Sequence, residues 1–256
     1  MLSSVKSRLT LASASLLLAS LLGACASVPA EQRTDSDPWE PLNRTLYSVN
    51  TAVDNVSLRP LAKGYDKVMP RPVRNSVSHF MDNLVTPASA VNNFLQGKPA
   101  YGFTELARFV FNSTLGIAGL FDVATAGGME ARPEDFGQTA AVWGVPSGPY
   151  VMLPLLGPKT LRDAIMTPLD ILSNPLYHYE VTSVRDKLTV LRIIDLRYRL
   201  LAVDKLLESS KDKYITTRES YLQNRTYEVY DGYPPEDDAF LDEFLEDEAF
   251  EESGSD

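Results

Sequence analysis

A chain of 256 residues carries 24 Lys and Arg against 34 Asp and Glu, a formal net charge of −10, with two His and one Cys. That length suits one or two domains with a buried core, and 44% apolar with 23% charged residues excludes both wholesale disorder and a polytopic membrane protein. Nucleic-acid binding needs a concentrated basic surface that this balance does not supply, and one cysteine permits neither an internal disulfide framework nor a cysteine-based zinc site. The charge is unevenly spread: residues 234–256 hold 11 acids and no base, leaving 24 bases against 23 acids elsewhere. The acidity is a tail on a near-neutral body.

At the N-terminus, Lys6 and Arg8 form a basic region before the uncharged Leu/Ala/Ser-rich run Leu9 to Leu22. A membrane-spanning helix needs about 20 apolar residues, so the run fits an export signal over residues 1–24 better than an uncleaved anchor. Pro29 and the small residues after Leu22 point the same way. Leu22-Gly23-Ala24-Cys25 resembles the bacterial lipobox. The resemblance implies that Cys25 takes a diacylglyceryl thioether and becomes the acylated first residue of the mature protein. One acyl chain anchors only marginally and several anchor firmly. Ala26, rather than an aspartate, follows the cysteine, so the outer membrane is the expected destination, with residues 25–36 as a tether.

The body reads as helical almost throughout. Leu42, Leu46, Val49, Val53 and Val56 are spaced 4-3-4-3 on one stripe. The pattern restarts behind Pro60 (Leu61, Tyr65, Val68) and behind Pro72 (Val73, Val77, Phe80, Leu84), and Pro70, Pro72 and Pro87 each suit a boundary or a first helical turn. Further on, Val184, Leu188, Leu191, Ile194, Tyr198 and Leu201 define a long amphipathic helix, with Ser183 and Asp186 placed as a capping box. Its basic face (Arg185, Lys187, Arg192, Arg197, Arg199) reads first as solvated and second as a docking surface. No alternating run is long enough to predict a sheet.

The middle of the chain differs. Phe109 to Ala126 holds one charge, Asp122, and Gly137 to Pro158 holds none in 22 residues. Four prolines and four glycines stop the second segment from crossing a bilayer as a regular helix, and irregular backbone exposed to lipid is prohibitively costly. It is either buried as core loops or placed at membrane depth, sheltered by protein, with Trp143, Val145, Tyr150, Met152, Leu153, Leu155 and Leu156 as an apolar wall. Asp122 is expected to pair with Arg108 or Arg162 in the core, or else to meet a lipid headgroup. Arg162-Asp163 reads as a hinge or capping pair, and Gly116 and Gly119 leave room for a moving element. The acidic tail, with Phe240, Leu241, Phe244, Leu245 and Phe250 at roughly helical spacing, is either solvated and disordered or an amphipathic helix for a basic partner.

Catalytic signatures are missing. Asp135-Phe136-Gly137 spells a kinase magnesium motif without the Gly-rich and catalytic loops that a kinase needs, and Ser147 lacks the glycines of a nucleophile elbow. His79 and Asp82 stand three apart on a predicted helix, where a surface pair is a better reading than a metal site.

Several blocks together resemble the MlaA/VacJ lipoprotein family. They include Asp37-Pro38-Trp39-Glu40-Pro41-Leu42-Asn43-Arg44, Pro70-Arg71-Pro72-Val73-Arg74, Asn92 to Gly97, and Asn112-Ser113-Thr114-Leu115-Gly116. Downstream come Gly119 to Ala124, Glu134 to Thr139, Trp143-Gly144-Val145, Leu153 to Pro158, Leu161-Arg162-Asp163 and Arg218-Glu219-Ser220-Tyr221. The likeness covers about Asp35 to Asp231. It implies an all-α domain over residues 37–231, its short helices set in a ring or disc in the periplasmic leaflet of the outer membrane, and an acidic tail over residues 232–256. It also implies a non-enzymatic route, without cofactor or metal, that takes mislocalised phospholipids from the outer leaflet through a central amphipathic channel. The implied partners are a trimeric porin and the soluble periplasmic carrier MlaC, and the implied wall is the Gly/Pro-rich segment. The competing reading is a structural or adhesive surface lipoprotein that binds only proteins; a lipid hydrolase is a third.

Overall fold

A computed structural model describes residues 36–235. Cys25, the expected export signal, most of the expected tether and the acidic run from residue 236 lie outside the described residues. Helix α1 (Glu40–Val56) starts with Pro41 in its first turn, where the missing N–H is harmless, and α2 (Leu58–Val68) follows after a one-residue break at Ser57. Helices α3 (Arg71–Leu95) and α4 (Pro99–Thr114) form a tightly packed pair joined by a short turn at Gln96 to Lys98. A single-turn helix α5 (Val123–Ala126) and helix α6 (Phe136–Val142) lead into a β-hairpin. Helix α7 (Leu161–Ser173) leaves it directly, followed by a 3-10 turn (Pro175–His178), α8 (Thr182–Arg199), α9 (Leu201–Ser209) and α10 (Lys213–Val229). Helix α8 lies on α2, and α10 closes against β2 and α6.

The all-α expectation holds, with one exception: the Gly/Pro-rich segment contains strands β1 (Tyr150–Leu153) and β2 (Gly157–Thr160), paired antiparallel from Tyr150↔Thr160 to Leu153↔Gly157. Four-residue strands are too short to show a period-two pattern. Pro87 does not end a helix, since α3 runs through it to Leu95. The pairing of α3 with α4 outweighs one missing hydrogen bond. The capping box does not form: the N-cap of α8 is Val181, without a side-chain cap, and Asp186 accepts from Arg185 instead. The basic face of α8 is not uniformly solvated. Arg197 forks onto Asp54 of α1 and also reaches Asp204, while Arg199 binds Asp82 of α3 as well as Asp195 of its own helix, so two of the five cations of that face staple neighbouring elements.

The interior is unusual in kind. Among the described residues, ten hydrophobic side chains are buried, four of them alanines, against nineteen polar or charged ones. Where a soluble domain would bury leucine and valine, this one buries tyrosine, asparagine, arginine and aspartate. The apolar core is a tyrosine cluster: Tyr150, Met152 and Tyr214, with Tyr47 and Tyr150 set edge-on to Tyr214 at 5.8 and 6.1 Å. Such pairs add about 0.5–1.5 kcal/mol each beyond area burial.

Candidate functional site

Helix α4 shows the pattern most plainly. Its buried positions are Gly102, Glu105, Arg108 and Asn112, one stripe at helical spacing, and its exposed positions include Phe103 at 66% and Val110. Helix α7 repeats it: Arg162 and Asp163 point inward, while Ile165 (62% exposed), Leu169 and Leu172 form the outward stripe. The stripe predicted on α1 is split: Leu46 packs on the tyrosine core, while Val49, Val53 and Val56 are exposed and Asn43 is buried. Between α4 and α5, Ile117 and Ala118 adopt positive φ of 53° and 57° beside Gly119 at 87°. That left-handed turn is costly for a β-branched residue and presents Leu115, Ile117 and Phe121 outward.

The expected apolar wall divides in two. Trp143, Val145, Leu155 and Leu156 are exposed, Leu155 at 72%, and Leu153 is half-buried. Tyr150 (0%) and Met152 (2%) face the core and offer no surface to a ligand. The hairpin pleat decides this, since alternate residues of β1 must point inward. The Trp143 ring is exposed while its Nε1 donates to the Leu95 carbonyl at 3.0 Å.

Polar clamps hold this wall on α1. Asn43 Nδ2 donates to the Tyr150 carbonyl at 3.0 Å and its Oδ1 accepts from Met152 N at 2.9 Å. Seven residues on, Asn50 does the same at the hairpin tip, donating to the Leu153 carbonyl and accepting from Leu155 N, both at 2.9 Å. Asn43 also donates to Asp37, whose carboxylate accepts from Tyr214 and Arg218 of α10, while Ser36 O accepts from Tyr150 N. The tether therefore enters the fold at the foot of the hairpin.

A second cluster joins α6, α7 and α10. Arg225 donates to Asp163 at 2.9 and 3.0 Å and to Asp135 at 2.7 and 2.8 Å, and Tyr221 OH donates to Asp163 at 2.8 Å. Burial alone would raise the Asp163 carboxyl, but Arg225, Thr160 and Tyr221 hold it down at about 2. Asp163 N donates to the N-cap residue Thr160, and Arg162 touches Asp163 at 3.2 Å. Arg162 and Asp163 thus begin α7 as a structural joint.

Asp122 finds Arg108, at 3.3 Å, and not Arg162. It also caps α5 through Thr125 N and accepts from Asn112 at 3.0 Å; these contacts offset its burial and hold its carboxyl near 2. Gly116 and Gly119 sit in the same joint: a methyl on Gly116 would overlap the Phe121 and Asn112 carbonyls, and Gly119 lies on Asn83. A cycle of Asp122→Asn and Arg108→Gln is expected to show about 1–2 kcal/mol of coupling in urea unfolding. Additive effects would dissolve the pair. Asp82 is engaged by Arg199 rather than by His79.

Apolar helix faces turned outward over a polar, ion-paired interior define a class: helical proteins built for an apolar surrounding. Among the described residues no helix is long and apolar enough to cross a membrane. A family model described as MlaA lipoprotein matches residues 35–228, and the chain belongs to that family. The chain is 39% identical over 211 residues to the intermembrane phospholipid transport system lipoprotein MlaA of Shigella flexneri, covering 81% of this chain and 84% of that one. The Haemophilus influenzae protein of the same description is 30% identical over 228 residues, covering 84% and 91%. A solved structure from work on the structural basis for maintenance of bacterial outer membrane lipid asymmetry aligns with a TM-score of 0.67 at 39% identity, covering 76% of this chain and 99% of that one.

Proposed function

We propose that this protein is an outer-membrane lipoprotein of an intermembrane phospholipid transport system that removes mislocalised phospholipid from the outer leaflet and so maintains lipid asymmetry. The observation that carries the reading is the inverted amphipathicity of α4 and α7, with Phe103, Val110, Ile165 and Leu169 outward over Glu105, Arg108, Arg162 and Asp163. The names of the family's relatives supply the lipid and the system. In this reading the body is a ring or disc seated in the periplasmic leaflet, held there by acylated Cys25, with a central amphipathic passage. A trimeric porin stands beside it and the periplasmic carrier MlaC receives the lipid. The role in this reading is non-enzymatic: the buried acids Asp37 and Asp163 and the partly exposed Asp122 and Asp135 are each committed to hydrogen bonds that join elements.

Two measurements test this. Glycerophospholipid should co-purify with the protein in mild detergent; its consistent absence would favour a lipoprotein that binds only proteins. Leu156, exposed at the hairpin tip, is the site for a functional variant. Leu156→Asp places a charge that costs about 2–4 kcal/mol where it cannot reach water. Outer-leaflet phospholipid should accumulate while the variant still fractionates with the outer membrane. Normal asymmetry with stable expression would remove the hairpin tip from the lipid route.

A further inference from the structure

Two cavities among the described residues differ in how their charges are matched. The larger, about 530 Å³ between α2, α3 and α8, is lined by Asp66, His79, Asp82 and Arg199, and its charges are internally paired, Arg199 with Asp82 and Asp66 with Arg74. The other, about 440 Å³, lies between the 144–147 loop, the start of α7 and the last turns of α10. Arg162 and Arg225 both line it, in opposite conditions. Arg225 is saturated by Asp135, Asp163 and Glu228. Arg162, 7% exposed, makes one 3.2 Å contact to Asp163 through Nε and a 3.4 Å contact to the Val145 carbonyl through Nη1, and its Nη2 has no hydrogen-bond partner among the described residues. Asp163 offers it little, because that carboxylate also serves Arg225 and Tyr221.

Arg162 is nine-tenths buried as a residue, and its unpaired Nη2 is the part left accessible at an open cavity, where an anion can reach it. The other lining side chains say which kind. Val145, Pro146, Leu222 and Val229 give the cavity an apolar wall, and Ser147, Thr160, Thr226 and Tyr230 give it a polar one. A bare inorganic anion would leave the apolar wall against water. An anion carrying a short apolar body satisfies both, and the volume is in the range of small-ligand sites.

We propose that this cavity is a phosphate subsite for a glycerophospholipid headgroup, with Arg162 the phosphate ligand and Val145, Pro146, Leu222 and Val229 covering the glycerol and first methylenes. The subsite deepens the lipid-handling role proposed above and rests on it. Arginine suits it better than lysine, since two of its N–H groups can meet two phosphate oxygens in one plane.

The full-length protein in an uncharged mild detergent is titrated by calorimetry with dihexanoyl phosphatidylglycerol, inorganic phosphate and dihexanoylglycerol. The phospholipid should bind and the two fragments should bind at least about tenfold more weakly, the loss expected for one charge-assisted bidentate contact or for the apolar cover. Arg162→Gln should weaken phospholipid binding about tenfold or more, with Arg162→Lys intermediate. Ala141→Leu fills the same cavity without touching the ionic joint, and should weaken binding equally even if Arg162→Gln folds poorly. Equal binding of inorganic phosphate would make this a free-phosphate site and overturn the assignment, as would equal binding of dihexanoylglycerol. Binding that appears only after truncation at Pro235 would give the cavity to the acidic tail. If wild type binds phospholipid and both variants match it, this subsite fails alone; if wild type binds no phospholipid at all, the lipid-handling role fails with it.

Discussion

Gly137→Ala should lower stability by about 3–5 kcal/mol, the cost of breaking a buried ion pair. Gly137 opens α6 directly beneath the Asp135–Arg225–Asp163 joint, and a Cβ there would overlap Asp163 Oδ1 and Arg225 Nη2. Neither atom can yield easily: Arg225 bridges two carboxylates, and Asp163 is fixed by Tyr221 and by its place in the first turn of α7. At about 2–4 °C per kcal/mol for a domain of this size, the melting temperature should fall by about 6–20 °C. Gly64→Ala is the matched control. It lies within α2 with nothing within 4 Å of a built Cβ, so the same methyl should be neutral or stabilising by up to about 1 kcal/mol. A Gly137→Ala protein melting within the error of wild type would mean that α6, α7 and α10 are held together by something else.

The sequence shows where the helices are better than which way they face. Periodicity locates α1, α3 and α8 because turns of 3.6 residues impose spacing whichever side is buried. Facing is another matter, since the usual inference sets apolar stripes inward. On α10 the inward stripe is Tyr214, Arg218, Tyr221 and Arg225, at intervals of 4-3-4, the same helical spacing written in polar letters. On α4 it is Glu105, Arg108 and Asn112. A search for charged residues recurring at helical spacing would have found both. The α1 stripe was placed correctly and Val49, Val53 and Val56 point outward, because Asn43 and Asn50 must reach the hairpin.

The candidate site was legible to the extent that its chemistry is local. A lone acid in an apolar stretch needs a base nearby, which narrows the core partners of Asp122 to Arg108 and Arg162, and the structure selects Arg108, 14 residues away. Arg225 carried no such signal, since its partners Asp135 and Asp163 are 90 and 62 residues away. The hairpin was hidden for a related reason. Its register is set less by its own sequence than by two asparagines of α1 more than 100 residues earlier. Tyr150 and Met152 look like wall residues in an apolar run, yet the pleat turns them into the core while Leu155 and Leu156 stay at the tip.

Those asparagines should divide their labour in a measurable way. Asn43 is 2% exposed and serves three partners at once: the Tyr150 carbonyl, Met152 N and Asp37. Asn43→Leu strands two backbone groups in a site that water does not reach, while the Asp37 carboxylate keeps Tyr214 and Arg218. At about 1–3 kcal/mol for each stranded group, the loss should be about 2–6 kcal/mol, seen as a lower urea midpoint at unchanged slope. Asn50 works at the tip, where Leu155 holds a φ of 63° and its side chain is open to the surroundings. For the protein in detergent solution, outside the bilayer, Asn50→Ala should cost only about 1 kcal/mol of global stability, because water then reaches the tip and can replace the lost bonds. Its effect should be local: the Leu155 amide, whose acceptor is Asn50 Oδ1, should exchange with solvent about tenfold faster while amides within α3 and α4 keep their protection. If Asn43→Leu and Asn50→Ala lower stability equally, the foot and the tip of the hairpin are not held by separate clamps. If Leu155 exchange is unchanged in Asn50→Ala, the tip holds its left-handed turn without help from α1.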